Sequence, residues 1–173
     1  LGGGALLELS HEIDYLRWIF GEVDWVQATL TQQSDLTIDV EDTAHLILGF
    51  VSNGSERPLV ASVNLDFIRQ DTMRLCTAIG SLGSLRWNGI TGTVESWALG
   101  TTGWQEIYKH QATRDESYVE EWKNFIACIK QPSQPFITGE DGLRVLQIIE
   151  AARLADNSKS QVKIGGLNEL REL

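Results

Sequence analysis

Basic charge is scarce in this chain. Its 173 residues hold 14 Lys and Arg against 24 Asp and Glu, a formal net charge of −10. A nucleic-acid binder needs a basic footprint, so that class is disfavoured, and so is an anionic membrane surface. No apolar run approaches the roughly 20 residues that span a bilayer. Cysteine is equally sparse, with Cys76 and Cys128 alone. Two cysteines without metal spacing fit free thiols packed as small core residues in a reducing cytoplasm. No His, Cys and Asp cluster has metal-ligand spacing, and no serine-nucleophile motif appears. Internal repeats and low-complexity segments are absent too. Neither a signal-peptide pattern nor an initial Met opens the chain, which starts at Leu1.

What remains is the composition of an ordinary globular chain, 42% hydrophobic and 22% charged, long enough for one domain with a full core. The opening "LGGGALLELSHEIDYLRWIFGE" predicts a helix over Leu6 to Phe20, ended by Gly21. Leu6, Leu9, Ile13, Leu16 and Phe20 fall in one stripe about 80° wide. Leu7, His11, Asp14 and Trp18 form a second stripe, with Glu8 within reach of His11 at i,i+3. A second helix is expected from near Tyr118, with Ser117 and Glu120 at capping-box spacing and Pro132 ending it. Its face of Tyr118, Trp122, Phe125, Ile126 and Ile129 is expected to join the core. A third helix follows Thr138, capped with Asp141, and stops near Asn157.

Between the first two helices the period changes to two. Val26, Ala28 and Leu30 alternate with Gln27, Thr29 and Thr31. Ala44, Leu46, Leu48 and Phe50 alternate with His45, Ile47 and Val51. Leu59, Ala61, Val63, Leu65 and Phe67 alternate with Ser62, Asn64 and Asp66. Shorter runs follow, split by the glycine turns "SLGS" and "NGITG", and "QVKI" is the last strand candidate. The pattern predicts an α+β fold: a large open, mainly antiparallel sheet with helices packed on one face. The other face, carrying Ile47, Val51 and Val60 among polar residues, is left for solvent or for a homo-oligomer contact.

The opening glycines do not make a phosphate loop. A dinucleotide fingerprint needs G-x-G-x-x-G between a strand and a helix. Gly2, Gly3 and Gly4 lack that spacing, and no strand precedes them. "GGGALLELSHEIDYLRWIFGEV" instead resembles the opening of the C-terminal domain of the Gfo/Idh/MocA (glucose–fructose oxidoreductase/inositol dehydrogenase) family. "EDTAHLILGFVSNG", "IGSLGSLRWN", "YVEEWKNFIACIKQ", "PFITGEDGLRVLQIIEAA" and "QVKI" continue the resemblance in order along almost all of the chain.

The resemblance implies an enzyme of two domains. An N-terminal Rossmann domain binds NAD or NADP, and a lysine in its Glu-Lys-Pro motif completes the site. The C-terminal domain supplies substrate contacts and a catalytic histidine. This chain has no Glu-Lys-Pro and no dinucleotide fingerprint, so it resembles only the second half. Residues 1–164 are expected to form the substrate-binding and oligomerisation domain, and 165–173 a tail with Leu167, Leu170 and Leu173 as anchors. By the resemblance, His11 falls on the catalytic histidine and Asp14 on the acidic residue after it that touches substrate. Glu8 falls near an upstream Asp. That Asp usually lies four positions before the histidine, whereas Glu8 lies three before His11. Trp18 is a candidate wall for a sugar.

These residue types suit hydride chemistry on a sugar, cyclitol or related polyol. A proton must move at the oxygen beside the reacting carbon, which a histidine does near neutral pH, and carboxylates accept hydrogen bonds from hydroxyls. On spacing alone, His11 and Asp14 fit an ion pair at a domain interface better than a site; the resemblance reverses that preference. His45 and His110 are read as structural or solvated, Asp66 and Arg69 as a surface pair, and Glu140 and Asp141 as serving a helix N-terminus. Three readings therefore compete. They are the substrate-binding half of an NAD(P)-dependent oxidoreductase, a non-catalytic ligand-sensing relative, and a plain oligomerisation module. The last is favoured if the His11 side is sealed by packing within the domain.

Overall fold

The computed structural model describes residues 3–52, 54, 57–111, 113 and 115–165. The expected tail lies outside them, apart from Gly165. The described chain divides into two compact units, residues 1–68 with 137–173 and residues 69–136.

The first unit opens with helix α1, Gly4–Glu8, and helix α2, Ser10–Phe20. The single helix expected from Leu6 is thus broken at Leu9, whose amide still bonds the Ala5 carbonyl at 3.1 Å. The apolar stripe survives the break, with Leu6, Ile13 and Leu16 buried. Strands β1, Val23–Thr31, β2, Thr43–Phe50, and β3, Val60–Asp66, follow. Strand order is β3-β2-β1-β8, where β8 is Val162–Lys163, and every pairing is antiparallel.

Alternation decides which face is covered. Val26, Ala44, Leu46, Leu48, Phe50, Val63 and Leu65 are buried, while Gln27, Thr29, His45, Ile47, Ser62 and Asn64 are exposed on the opposite face. Helix α4, Gly139–Ser158, packs on β1, and α2 packs on α4. Its Val145, Ile148, Ile149, Ala151, Ala152 and Ala155 complete the core. The expected capping box closes its start: Thr138 Oγ1 accepts from Asp141 N, and the Asp141 carboxylate accepts from Thr138 N at 2.8 Å. The helix runs past Asn157 and ends where Lys159 takes the left-handed conformation.

The second unit holds a separate ladder, β4 Leu75–Gly80, β5 Gly83–Asn88, β6 Thr93–Ala98 and β7 Gln105–Lys109, in that order and antiparallel throughout. The α+β class and the antiparallel pairing match the pattern, with the strands hydrogen-bonded as two ladders of four. Helix α3, Glu116–Lys130, begins after Asp115, and no side chain caps it. Ser117 and Glu120 therefore lie inside the helix instead of forming the expected box. Its apolar face is also corrected. Tyr118, Trp122, Phe125, Ile126 and Ile129 are exposed, so the face does not join the core. Amphipathicity shows that a face needs cover, not that the same chain supplies it.

Candidate functional site

Gly4 explains how the chain start reaches the sheet. Its φ is +75°, and a Cβ there would lie 2.2 Å from a carboxylate oxygen of Glu41. Glu41, on the approach to β2, accepts from Leu6 N at 3.0 Å through its side chain and from Ala5 N at 2.9 Å through its carbonyl. An acid therefore already sits against Gly4. A pyrophosphate does not fit there, because two anions would share one set of amides.

The next residue, Asp42, is fully buried. Its carboxylate accepts from Gln33 N, Ser34 N, Ser34 Oγ and Thr43 Oγ1 at 2.6–2.9 Å. Those bonds, led by the Gln33 amide and the Ser34 hydroxyl, outweigh burial and hold its pKa down at about 2. The 32–42 connection is thereby tied to the end of the β1–β2 pair where Glu41 meets α1.

On α2, His11, Asp14 and Trp18 share a side about 60° wide. That side is open: the His11 side chain is 54% exposed and Trp18 78% exposed. The carboxylate that meets the imidazole is the neighbouring Glu12, with Oε1 3.2 Å from Nε2. Asp14 turns to Arg17, whose Nη1 lies 3.4 Å from Oδ1. Glu8, at the end of α1, is exposed and accepts from Gly3 N at 3.3 Å. The structure thus brings His11, Asp14 and Trp18 to one helix face and leaves Glu8 on the preceding helix.

Arg17 is the residue that sequence reasoning missed. Its side chain is only 9% exposed and meets three carboxylates: Asp14, Glu22 at 3.2 Å, and Asp141. Burial alone would lower its pKa, but the bond to Asp141 and the charge of Glu22 raise it. Asp141 is held at about 2 by the Thr138 hydroxyl and amide, then by Arg17. One guanidinium therefore ties the candidate site helix to the first turn of α4. Asp14 and Glu22 are visible as near neighbours of Arg17, but the Asp141 partner, 124 positions away, has no local signal.

The other candidates fall elsewhere. His45 Nδ1 lies 2.7 Å from Asn64 Oδ1 on the open face of the first sheet. It borders a shallow depression of about 420 Å³ with Gln27, Thr29 and Ser62. His110 meets Glu116 at 3.2 Å. Arg69 pairs with Asp71 at 3.2 Å. A wider depression, about 630 Å³, lies along Tyr118, Trp122 and Ile126 of α3. Neither depression includes His11. Among the described residues, no group of three or more His, Cys, Asp and Glu is placed to hold a metal, and no helix is long and apolar enough to cross a membrane.

Antiparallel ladders with helices packed on one face place the chain in the class of alpha/beta domains. The family model described as "Oxidoreductase family, C-terminal alpha/beta domain" matches residues 1–164, and the chain belongs to that family, the Gfo/Idh/MocA oxidoreductases. It is 30% identical to myo-inositol 2-dehydrogenase of Thermotoga maritima over 175 residues, 95% of this chain and 50% of that protein. Among solved structures it resembles levoglucosan dehydrogenase in complex with NADH and levoglucosan. The TM-score is 0.79 at 20% identity, covering 93% of this chain and 50% of the other. It also resembles the WlbA dehydrogenase of Bordetella pertussis in complex with NADH and UDP-GlcNAcA. There the TM-score is 0.69 at 22% identity, with coverage of 93% and 46%. The chain spans about half the length of these relatives.

Proposed function

We propose that the chain is the substrate-binding half of an NAD(P)-dependent oxidoreductase acting on a sugar, cyclitol or related polyol. The carrying observation is the open α2 face, where a well-exposed imidazole and an aspartate lie on the same side without being sealed by their own domain. In this reading His11 moves the proton at the substrate oxygen beside the reacting carbon. Asp14 accepts from a substrate hydroxyl, Glu8 offers a second acceptor, and Trp18 walls the sugar. The dinucleotide belongs on the Rossmann half, since the Glu41 carboxylate already lies against Gly4. The names of the relatives, an inositol dehydrogenase and a levoglucosan dehydrogenase, support the substrate class. Cys76 and Cys128, neither of them in a disulfide, support a reducing cytoplasm. The exposed face of the first sheet, with Ile47 and Val60 among neutral polar residues, suits contact with a second copy.

The test is turnover of the full-length enzyme with myo-inositol and levoglucosan, each with NAD and NADP. His11→Asn should lower kcat by about 10²–10⁴-fold while leaving cofactor affinity nearly unchanged. Near-normal turnover removes His11 from the mechanism. Calorimetric titration of the present chain with NADH and NADPH should show no binding in the low micromolar range. Such binding would place the cofactor site here and overturn the division of labour.

A further inference from the structure

Arg17 stands where the two sides of α2 meet. At about 100° per residue it falls ~40° from Ile13 on the apolar stripe and ~60° from Asp14 on the open side. Ile13 is fully buried, and the Asp14 side chain is 40% exposed. A long side chain at such a border buries its stem toward the apolar side while its head stays among polar groups. The Arg17 side chain is 9% exposed. A charge so enclosed persists only when it is paired.

Each nitrogen of the guanidinium fork faces a different carboxylate. Nε donates to both Glu22 oxygens at 3.2 Å, Nη1 to Asp14 Oδ1 at 3.4 Å, and Nη2 to Asp141 Oδ1. The three contacts are unequal. Asp141 is fixed from behind, because its other oxygen, Oδ2, accepts from Thr138 N at 2.8 Å and from Thr138 Oγ1 at 2.7 Å. Glu22 meets Nε with both oxygens. Asp14 has one long bond through one oxygen, and among the described residues Arg17 is its side-chain partner. A carboxylate offers roughly four acceptor directions, so most of the capacity of Asp14 is left for another donor. His11 takes none of it, since its imidazole meets Glu12.

We propose that Arg17 is a positioning residue of the site: anchored on Asp141 and Glu22, it sets the aim of the Asp14 carboxylate toward a substrate hydroxyl. This role rests on the reading of Asp14 as an acceptor for that hydroxyl. Arg17 itself touches neither substrate nor cofactor and acts through Asp14. The planar fork is what the task needs. Three carboxylates lie along the directions of its three nitrogens, whereas an ammonium of the same charge is a point that cannot face all three. Fixing Asp14 in advance spares the substrate the cost of ordering it. The looseness of the Asp14 bond serves the same end. A tightly paired Asp14 would have to be freed before a hydroxyl could reach it.

Steady-state kinetics of the full-length enzyme test this, on whichever of myo-inositol and levoglucosan it oxidises faster. The variants are Arg17→Lys, Asp14→Asn and the two combined. Arg17→Lys keeps the charge and loses the fork. It should raise the KM for the polyol about tenfold, with kcat within about threefold and the KM for the dinucleotide unchanged. A role in stability alone would lower the active fraction instead, so that kcat falls and KM stays. Asp14→Asn should raise the polyol KM by itself, and adding Arg17→Lys should then change it by less than about twofold. If Arg17→Lys does not fold, Asp141→Asn takes its place, leaving Arg17 without the charge of its anchor. It should raise the polyol KM about threefold, and only while Asp14 is present. Additive effects overturn the proposal, as does an unchanged polyol KM in the Arg17 or Asp141 variant; a raised KM in Asp14→Asn then leaves the site itself standing. If Asp14→Asn keeps the wild-type KM, or the wild type oxidises neither polyol, the site reading fails and the role of Arg17 with it.

Discussion

The two units carry ladders of the same size and differ in what lies beneath them. All 18 buried hydrophobic side chains among the described residues belong to the first unit. There α4 lies on β1 and α2 on α4, so the alternating strand residues meet apolar helix stripes. The second unit has comparable alternation, with Cys76, Trp87, Val94 and Tyr108 side by side on one face. Yet none of its described residues is buried. Backbone hydrogen bonds hold a ladder together, but their net worth is small because water offers the same bonds to the unfolded chain. A core appears only where a second apolar surface covers the first. The buried core of the described residues is therefore the first unit's alone.

The sharpest way to break this contrast is a matched pair of truncations. Leu48→Ala, in the core of the first unit, should cost about 2–5 kcal/mol, whereas Ile79→Ala in the second should stay within about 0.5 kcal/mol. Urea unfolding of both variants reads the difference, and equal losses would mean that the second unit has an interior of its own. A smaller effect contrasts two glycines of positive φ. Gly4→Ala must meet both the backbone cost and the Glu41 carboxylate, and should lose about 1–3 kcal/mol. Gly100→Ala has open space around it and should lose only the backbone part, about 1 kcal/mol. If the two melt alike, the Glu41 contact is not what Gly4 is for.

Acid should separate the units more gently. The carboxylates held below their ordinary value of 3.8, Asp42, Asp141 and Asp156, all lie in the first unit. A lowered folded pKa means that their contribution is complete above about pH 4. For Asp42 and Asp141 it is lost as pH falls through about 2, where the native state also takes up the proton. Near-neutral stability should therefore be flat with pH and decline between about pH 4 and 2. Asp42→Asn, with no charge to lose, should show a shallower decline in a pH series of thermal melts. An unchanged acid slope in that variant would remove Asp42 as a source.

Much of this arrangement was legible in residue types alone, because periodicity is a local property that burial obeys. The alternation at Ala44, Leu46, Leu48 and Phe50 named the covered face of β2, and Thr138 with Asp141 named the start of α4. The motifs from "GGGALLE" to "QVKI" identified the family. The spacing at Ser117 and Glu120 misled, since a capping box needs its Ser at the helix boundary and the boundary fell at Asp115.

Three features were decided only when the chain closed on itself. Arg17 became the clamp on the candidate site helix because folding brought Asp141 against it from the far end of the chain. Gly4 came to face Glu41, whose carboxylate came to rest where a Cβ would lie. The α3 stripe remained uncovered although its pattern matches that of a core helix. Periodicity records that a residue needs a partner, but the partner's identity depends on distances between segments that share no sequence neighbourhood. For that reason the order of the strands, the ties of Arg17 and the bareness of the second unit belong to the tertiary structure.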